Sequence, residues 1–482
     1  MKNQLRMGLA MGRGQVIRIT AISALVLIWV VHWQWSNLTG DLSWVNKSYG
    51  SEASRPPASS VVKGLGQPLP TDIDLSDPDA PFIGWPLKRV CNEVEEWTKG
   101  VVFVCDNNFG GVGNVRNFIL TCVRYAIEAG ATGMVMPLIR KRRDDNIKII
   151  TDPSDFRPFS YLFDEQNFRE AMAENCPQIT IYDTWFDVPN LPLIDGNASQ
   201  PYIEKVDFRE LDRPDTKRCD FAELDHQTDR FQVRFKEFLH NPENGTVPSA
   251  RNPRLFRGTD WPGVLWEWPV WRDGPELANT FAGLCKFNKT MMRLGKLALA
   301  KMQEFGPQNP GDLRVGHEES SKFLGVHLRT EADALDFWPT YEEQEEAYLG
   351  KAAEVGLAVG YIASGNLTEA HKFSTAAEAE LGMKMVSKDD LLDGPDLEEL
   401  HSLSWDQQGL VDYIVLTAAD YFTGNSRSSF SISVTKKRHL KSEGLYSRPY
   451  KVRPNGYDRS FIVGPMTMYY EHWLFIWDAM WP

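Results

Sequence analysis

The chain has 482 residues, which suits two or three domains rather than one. Hydrophobic residues supply 42% of it and aromatic residues 12%, enough for a large core, which excludes an intrinsically disordered chain. The formal net charge of −13, with no dominant basic stripe, excludes a nucleic-acid binder, although a few arginines or backbone N–H groups can still hold a phosphate locally.

Residues 1–35 read as a cytoplasmic tail and a signal-anchor transmembrane helix. Lys2, Arg6, Arg13 and Arg18 come before a stretch, 19–35, that holds no Asp, Glu, Lys or Arg. A helix of that length spans roughly 26 Å, sufficient for a thin bilayer. The positive flank stays cytoplasmic, which sends the rest of the chain into the lumen. Trp33 and Trp35 fit an interfacial aromatic belt and occupy the place where a cleaved signal peptide, the alternative, needs small residues. Sequons at Asn37, Asn46, Asn197, Asn244, Asn288 and Asn366 agree with that side. So do the cysteines at 91, 105, 122, 176, 219 and 285, which permit up to three disulfides of open connectivity. The expected address is the Golgi or endoplasmic reticulum membrane, single-pass type II, with the catalytic domain lumenal.

Residues 36–90 read as a stem, rich in Ser, Pro, Gly and Asp and without hydrophobic period. A buried strand is expected at 100–105, then a Gly-rich turn, a helix ended by Gly130 and a second strand at 133–138, together a βαβ unit. A helix at 163–173 and a strand at 179–182 follow. The stretch 184–275, crowded with Pro, Trp and Asp, reads as an insertion on the substrate side. A long helical pattern at 276–305 could bridge two lobes. A second series then begins: strand 322–328, helix 342–355, strand 359–363, helix 369–381, strand 384–386, helix 409–421, a turn at 422–425 and a helix from Ser428. The expected fold is α/β with two Rossmann-like domains facing a cleft, the first at 91–300 on the acceptor side and the second at 301–482 on the nucleotide-sugar side.

Three motifs carry chemistry. Gly110-Gly111-Val112-Gly113-Asn114-Val115-Arg116 lies between a strand and a helix, where small residues let a phosphate approach helix-terminal N–H groups; it is neither a G-x-G-x-x-G nor a P-loop, and an ordinary tight turn explains it equally. Gly325-Val326-His327-Leu328-Arg329-Thr330-Glu331-Ala332-Asp333 places His327 and Arg329 on one side of a strand's carboxyl end, where open α/β sheets bind ligands. Arg suits a diphosphate because its planar fork donates two parallel hydrogen bonds. In Asp420 to Ser431 a strand-like piece meets a helix start with Ser428, Ser429 and Ser431, which reads as N-capping or as a phosphate site. Lys436, Lys437 and Arg438 further along read as a solvated face.

In order and spacing these motifs, with Ser160-Tyr161-Leu162-Phe163-Asp164, resemble the GDP-fucose-dependent fucosyltransferase superfamily, in particular its protein O-fucosyltransferases, over roughly residues 99–182 and 320–440. The resemblance implies a GT-B fold, GDP-fucose as donor substrate in the cleft and no metal requirement. It implies that Arg329 holds the donor diphosphate and is the catalytic residue. It matches Asn114 to an asparagine near the sugar or phosphate, and Ser428, Ser429 and Phe430 to the stretch on the β-phosphate and nucleotide. Gly111, Gly113, His327 and Asp333 are further candidate donor-binding residues, His327 and Asp333 as groups that orient Arg329 or the sugar. The chain departs from one branch in having no glutamate in the glycine loop, so Asp106 stands in as a speculative base. Thr330 after Arg329, where the α1,6 branch has a second arginine, favours the protein O-fucosyltransferase side. The only Asp-x-Asp spacings, at 72–74 and 77–79, fall in the stem. The expected partners are a nucleotide-sugar donor, a protein or glycan acceptor and, through the N-terminal helix, the membrane, with no nucleic acid. Inverting transfer of fucose to a hydroxyl competes with a lumenal nucleotide-sugar-binding pseudoenzyme and a structural membrane glycoprotein.

Overall fold

The computed structural model of the protein describes residues 68–108, 110–142, 155–192, 201–208, 228, 230–258, 264–270, 272–308, 322–331, 337–440 and 459–482. The segment 19–35, the sequons at Asn37, Asn46 and Asn197, and Phe109, Cys219 and Asp333 lie outside the described residues. Among the described residues no helix is long and apolar enough to cross a membrane.

The first half begins with β1 (Thr98–Val104) and β2 (Ala131–Val135). A short antiparallel pair follows, β3 (Ile139–Arg140) with β4 (Phe156–Arg157), and then β5 (Thr180–Tyr182), β6 (Ile203–Val206) and β7 (Arg254–Gly258). Five of these make one sheet in the order β5-β2-β1-β7-β6, parallel throughout. Val101 to Val104 are all buried, which is why β1 reads as an unbroken apolar run: a parallel sheet is covered on both faces. The helix Val112–Glu128 joins β1 to β2 and stops where Gly130 takes φ +62°. A Cβ there would lie 2.1 Å from the Glu96 carbonyl oxygen, so glycine is required. Phe103, Tyr125, Phe208, Phe235 and Trp268 form an aromatic core beneath this sheet.

The second half holds β8 (Leu324–His327), β9 (Val359–Ala363), β10 (Lys384–Val386), β11 (Tyr421–Asn425) and β12 (Ser460–Val463). Their order is β10-β9-β8-β11-β12, again all parallel. The helix Lys289–Gln308 packs on the helix Trp405–Ala418, and Gly295 permits that approach: a Cβ would sit 2.5 Å from Ile414 Cδ1. After β12 the chain returns to the first sheet's helices. Asn117 donates to the Ala479 carbonyl at 2.9 Å and accepts the Trp481 N–H at 2.9 Å, and Trp481 is buried.

Several expectations need correction. The stretch 184–275 is not an insertion: it supplies β6 and β7, and β7 lies directly beside β1. Its sequence, Arg254-Leu255-Phe256-Arg257-Gly258, hides a buried strand because Arg254 is neutralised by Glu204 and Arg257 by Asp106. Residues 422–425 are strand, not turn, since β8 and β12 flank them on both sides and outweigh the turn propensity of Gly and Asn. The long pattern at 276–305 is broken into Pro275–Thr280, a tight turn through Cys285 and the helix from Lys289. Lys436 and Lys437 are buried rather than solvated, and Lys436 Nζ donates to the Trp477 carbonyl at 2.7 Å. Arg438 donates to the Thr417 carbonyl at 2.9 Å, among others. Of the stretch read as stem, residues from Pro68 onward belong to the same compact unit as both sheets. Lys286 holds Asp79 at 2.6 Å, and the helix Trp85–Glu93 is tied down by a Cys91–Cys176 disulfide. A second bridge joins Cys105 to Cys122, and Cys285 is buried and free.

Candidate active-site cleft

The carboxyl ends of β1, β8, β9 and β11 open on one cavity of about 610 Å³, within the range of small-molecule sites. Each strand end contributes a different chemistry, because each is followed by a different turn.

After β1 comes the glycine loop. Gly110 has φ +99°, a value that favours glycine, and Gly111 caps the following helix with extended backbone and no side-chain hydrogen bond. Its N-terminal N–H groups are therefore not sealed by a capping side chain, the arrangement that suits an anion. At Gly113 a Cβ would lie 2.9 Å from the backbone oxygen of Ser429. The loops of the two halves thus touch, and only glycine allows it. Gly111 and Asn114 line the cavity, and Asn114 Oδ1 is buried without a hydrogen-bond partner.

After β8 come His327, Arg329 and Glu331, all lining the cavity. His327 Nδ1 lies 2.7 Å from Ser431 Oγ and its ring packs against Phe430 at 4.7 Å. Burial, together with Arg329 and Arg142 nearby, outweighs Glu331 and lowers the imidazole to about 4, so it is neutral at neutral pH. Arg329 is ion-paired with Glu331 and its guanidinium lies 5.1 Å from the centre of the Trp338 ring. The buried Gln344 fixes its backbone, accepting the Arg329 N–H at 3.0 Å and donating to the Arg329 carbonyl at 3.0 Å. Burial pushes the Glu331 carboxyl up, but Arg329 beside it outweighs that and holds it below the usual range. Glu331 also accepts the Gly365 N–H at 2.8 Å.

After β11 the chain turns into the helix Ser429–His439. Ser428 is the N-cap, its hydroxyl accepting the Ser431 N–H at 3.3 Å, and Ser428, Ser429 and Phe430 all line the cavity. Ser431 Oγ also accepts the Asn425 N–H at 3.0 Å, which links this turn to His327.

The residues singled out in three separate motifs are therefore neighbours around one opening, Gly113 serving as the contact point rather than as lining. Asp106 is not among them. It is buried and paired with Arg257 at 2.5 Å, and burial, set against Arg257, leaves its carboxyl raised. Such an aspartate braces β1 against β7 and is not a base in this cleft. Arg329 pairs with Glu331, two residues on, and Asp333 lies outside the described residues.

Sequence reasoning passed over Arg427. It stands one residue before the N-cap serine, lines the cavity and is only 5% exposed. Its guanidinium lies 5.1 Å from the Phe337 ring centre and 5.5 Å from that of Trp473, with one donated bond to the Glu471 carbonyl at 2.5 Å. Among the described residues no carboxylate lies within ion-pair distance of it, whereas Arg329 has Glu331. The available signal was an arginine adjoining a predicted phosphate-binding turn. No local signal marked Trp473, which comes from the returning C-terminal segment and is one of two described non-glycine residues with positive φ, at +58°. Arg142, stacked on Trp405 at 4.2 Å, and the buried Lys388–Asp412 pair at 2.9 Å also line the cavity and were not foreseen.

Comparison with known proteins identifies a family for the chain. Residues 102–441 match the family model described as GDP-fucose protein O-fucosyltransferase. Among solved structures, the apo form of POFUT1 shares 14% identity, covering 77% of this chain and 100% of that one with a TM-score of 0.40. POFUT1 in complex with GDP-fucose gives 14% identity, 77% and 99% coverage and a TM-score of 0.40. A mutant of Arabidopsis thaliana FUT1 in complex with GDP gives 14% identity, 73% and 71% coverage and a TM-score of 0.34. No curated protein matches at a significant level.

Proposed function

Because the chain belongs to the GDP-fucose protein O-fucosyltransferase family, and so is a glycosyltransferase of fucosyltransferase type, we propose that it transfers fucose from GDP-fucose to a hydroxyl of a protein Ser/Thr or a glycan. The bond from the fucose anomeric carbon to the β-phosphate oxygen breaks, and a bond to the acceptor oxygen forms with inversion. GDP and the hydroxyl proton are released. Charge accumulates on the leaving diphosphate, so groups that meet that charge lower the barrier. Arg427, Arg329 and the helix start at Ser428–Phe430 are the groups in this chain suited to do so. They supply positive charge without a metal, and the reading is of a metal-independent reaction. Neutral His327 orients the turn through Ser431. We also place this body in the Golgi or endoplasmic reticulum lumen behind an N-terminal signal anchor, a reading with which the two disulfides agree.

One observation carries the proposal: the glycine loop of one half and the serine helix start of the other meet at Gly113 and Ser429, beside a guanidinium with no carboxylate partner among the described residues. Melting curves of the purified protein against GDP, UDP, ADP and CMP test it. Saturation at 100 times Kd adds about 2.7 kcal/mol of stability. GDP should raise the melting temperature and the other nucleotides should not, and Arg329→Ala should remove the GDP effect. Equal shifts with all four, or none with GDP, would end the proposal. A second reading, a nucleotide-sugar-binding protein without turnover, is favoured by the absence of a carboxylate in the glycine loop and the tying of Asp106 to Arg257. GDP binding with no transfer to any acceptor would select it.

A further inference from the structure

A second, much smaller cavity lies elsewhere in the body and shares no lining residue with the cleft. It measures about 30 Å³, room for one or two species the size of water. Three cations line it, and two of them, one from each half, have no carboxylate within ion-pair distance among the described residues: Arg116 on the helix Val112–Glu128 and Lys437 on the helix Ser429–His439. Arg116 is 6% exposed and Lys437 9%. Arg116 Nη2 donates to the Ala282 carbonyl at 3.0 Å, but its Nε and Nη1 are buried with no hydrogen-bond partner among the described residues.

The charge around this cavity does not balance. A guanidinium stays protonated at any relevant pH. Burial and the nearby Arg116 push Lys437 down to about 7, with Asp77 and Asp74 working the other way. Lys286 also lines the cavity but is already paired with Asp79 at 2.6 Å. Burial holds the Cys285 thiol up at about 12, so it supplies no negative charge. Asp77 stands exposed on the lining, and among the described residues it is not within ion-pair distance of either cation. Unpaired buried charge and unmade N–H bonds are costly, so such a pocket favours an occupant that accepts hydrogen bonds and carries negative charge. The small volume favours a monatomic or similarly compact anion over sulfate, phosphate or a nucleotide.

We infer that this cavity binds one small monovalent inorganic anion of the chloride class, held between Arg116 and Lys437 and so between the two halves of the protein. The site is independent of the donor reading, since neither cation lines the cleft.

Two measurements on the full-length protein test this. Crystals soaked in sodium bromide should give an anomalous peak between Arg116 and Lys437, and that peak should vanish in Lys437→Met. In solution, replacing sodium gluconate with sodium chloride at equal ionic strength should raise the melting temperature by about 2 °C once chloride exceeds Kd tenfold. Lys437→Met should lose that dependence while its GDP-induced shift stays at the wild-type value. Should Arg116→Met fail to fold, Lys437→Met alone decides the question. Ordinary water density without a bromide peak, or melting that does not distinguish chloride from gluconate, overturns the inference.

Discussion

The two halves of this protein have similar sheets and different chemistry. The first sheet rests on an aromatic core and two disulfides, and the first half gives the cleft the backbone of a glycine loop with Asn114, Arg142 and Trp266. The second sheet supplies His327, Arg329, Glu331, Arg427 and the serine helix start. Apart from Arg116, buried charge in the first half is closed on itself. Arg124 grips Asp273 at 2.7 and 2.8 Å, with Arg272 and Glu128 completing the network. In the second half one guanidinium of the cleft, Arg427, has no carboxylate of its own among the described residues. Closed networks build a scaffold, and an open one waits for a ligand.

That contrast can be broken from either side. The largest effect is expected from Asp273→Asn, which leaves Arg124 buried without its counter-charge. It should cost about 3–5 kcal/mol of stability by chemical denaturation while leaving the donor affinity of the folded fraction unchanged. Arg329→Ala should lower fucose transfer by the folded protein by roughly 10²–10³, with a lower melting temperature because Glu331 loses its counter-charge. The pH dependence should separate the halves further. His327 is held near 4 in the folded protein, so the unfolded chain takes up its proton first as pH falls. That contribution to stability is present above about 6.5, is lost progressively down to about 4, and amounts to about 3 kcal/mol. Asp273 has the opposite history: burial is outweighed by Arg124, and its folded value is about 2. Its contribution is present above about 4 and is lost only as pH falls towards 2. Denaturant titrations at pH 7, 5 and 3 should therefore find His327→Asn reducing the first fall, to which the buried His439 also contributes, and leaving the second. Arg427→Met should weaken GDP binding by about tenfold to a hundredfold and guanosine binding much less, read by calorimetry, because the lost charge faces the phosphates. Gly113→Ala should raise the donor KM several-fold, since a methyl group 2.9 Å from the Ser429 backbone oxygen forces the two loops apart.

The sequence by itself determined the succession of strands and helices wherever burial was symmetric. Val101 to Val104 and 359–363 read as strands because both faces of a parallel sheet are apolar, and Gly130 read as a helix end because its backbone admits no side chain. The three motifs were legible for the same reason: glycine, arginine and serine were each placed at a strand's end by local rules. What lay outside local rules was decided only in three dimensions. β7 was hidden because its arginines are neutralised by Glu204 and Asp106, residues 50 and 151 positions away. β11 looked like a turn until β8 and β12 bonded it from both sides. Asp106 looked free to act as a base until Arg257 was found against it, and Lys436 looked solvated until Trp477 arrived from the returning C-terminus. Charge pairing and backbone pairing between distant residues leave no local period, so the sequence could name the cleft's three motifs but neither Arg427, Arg142 and Trp473 nor which of its cations already had partners.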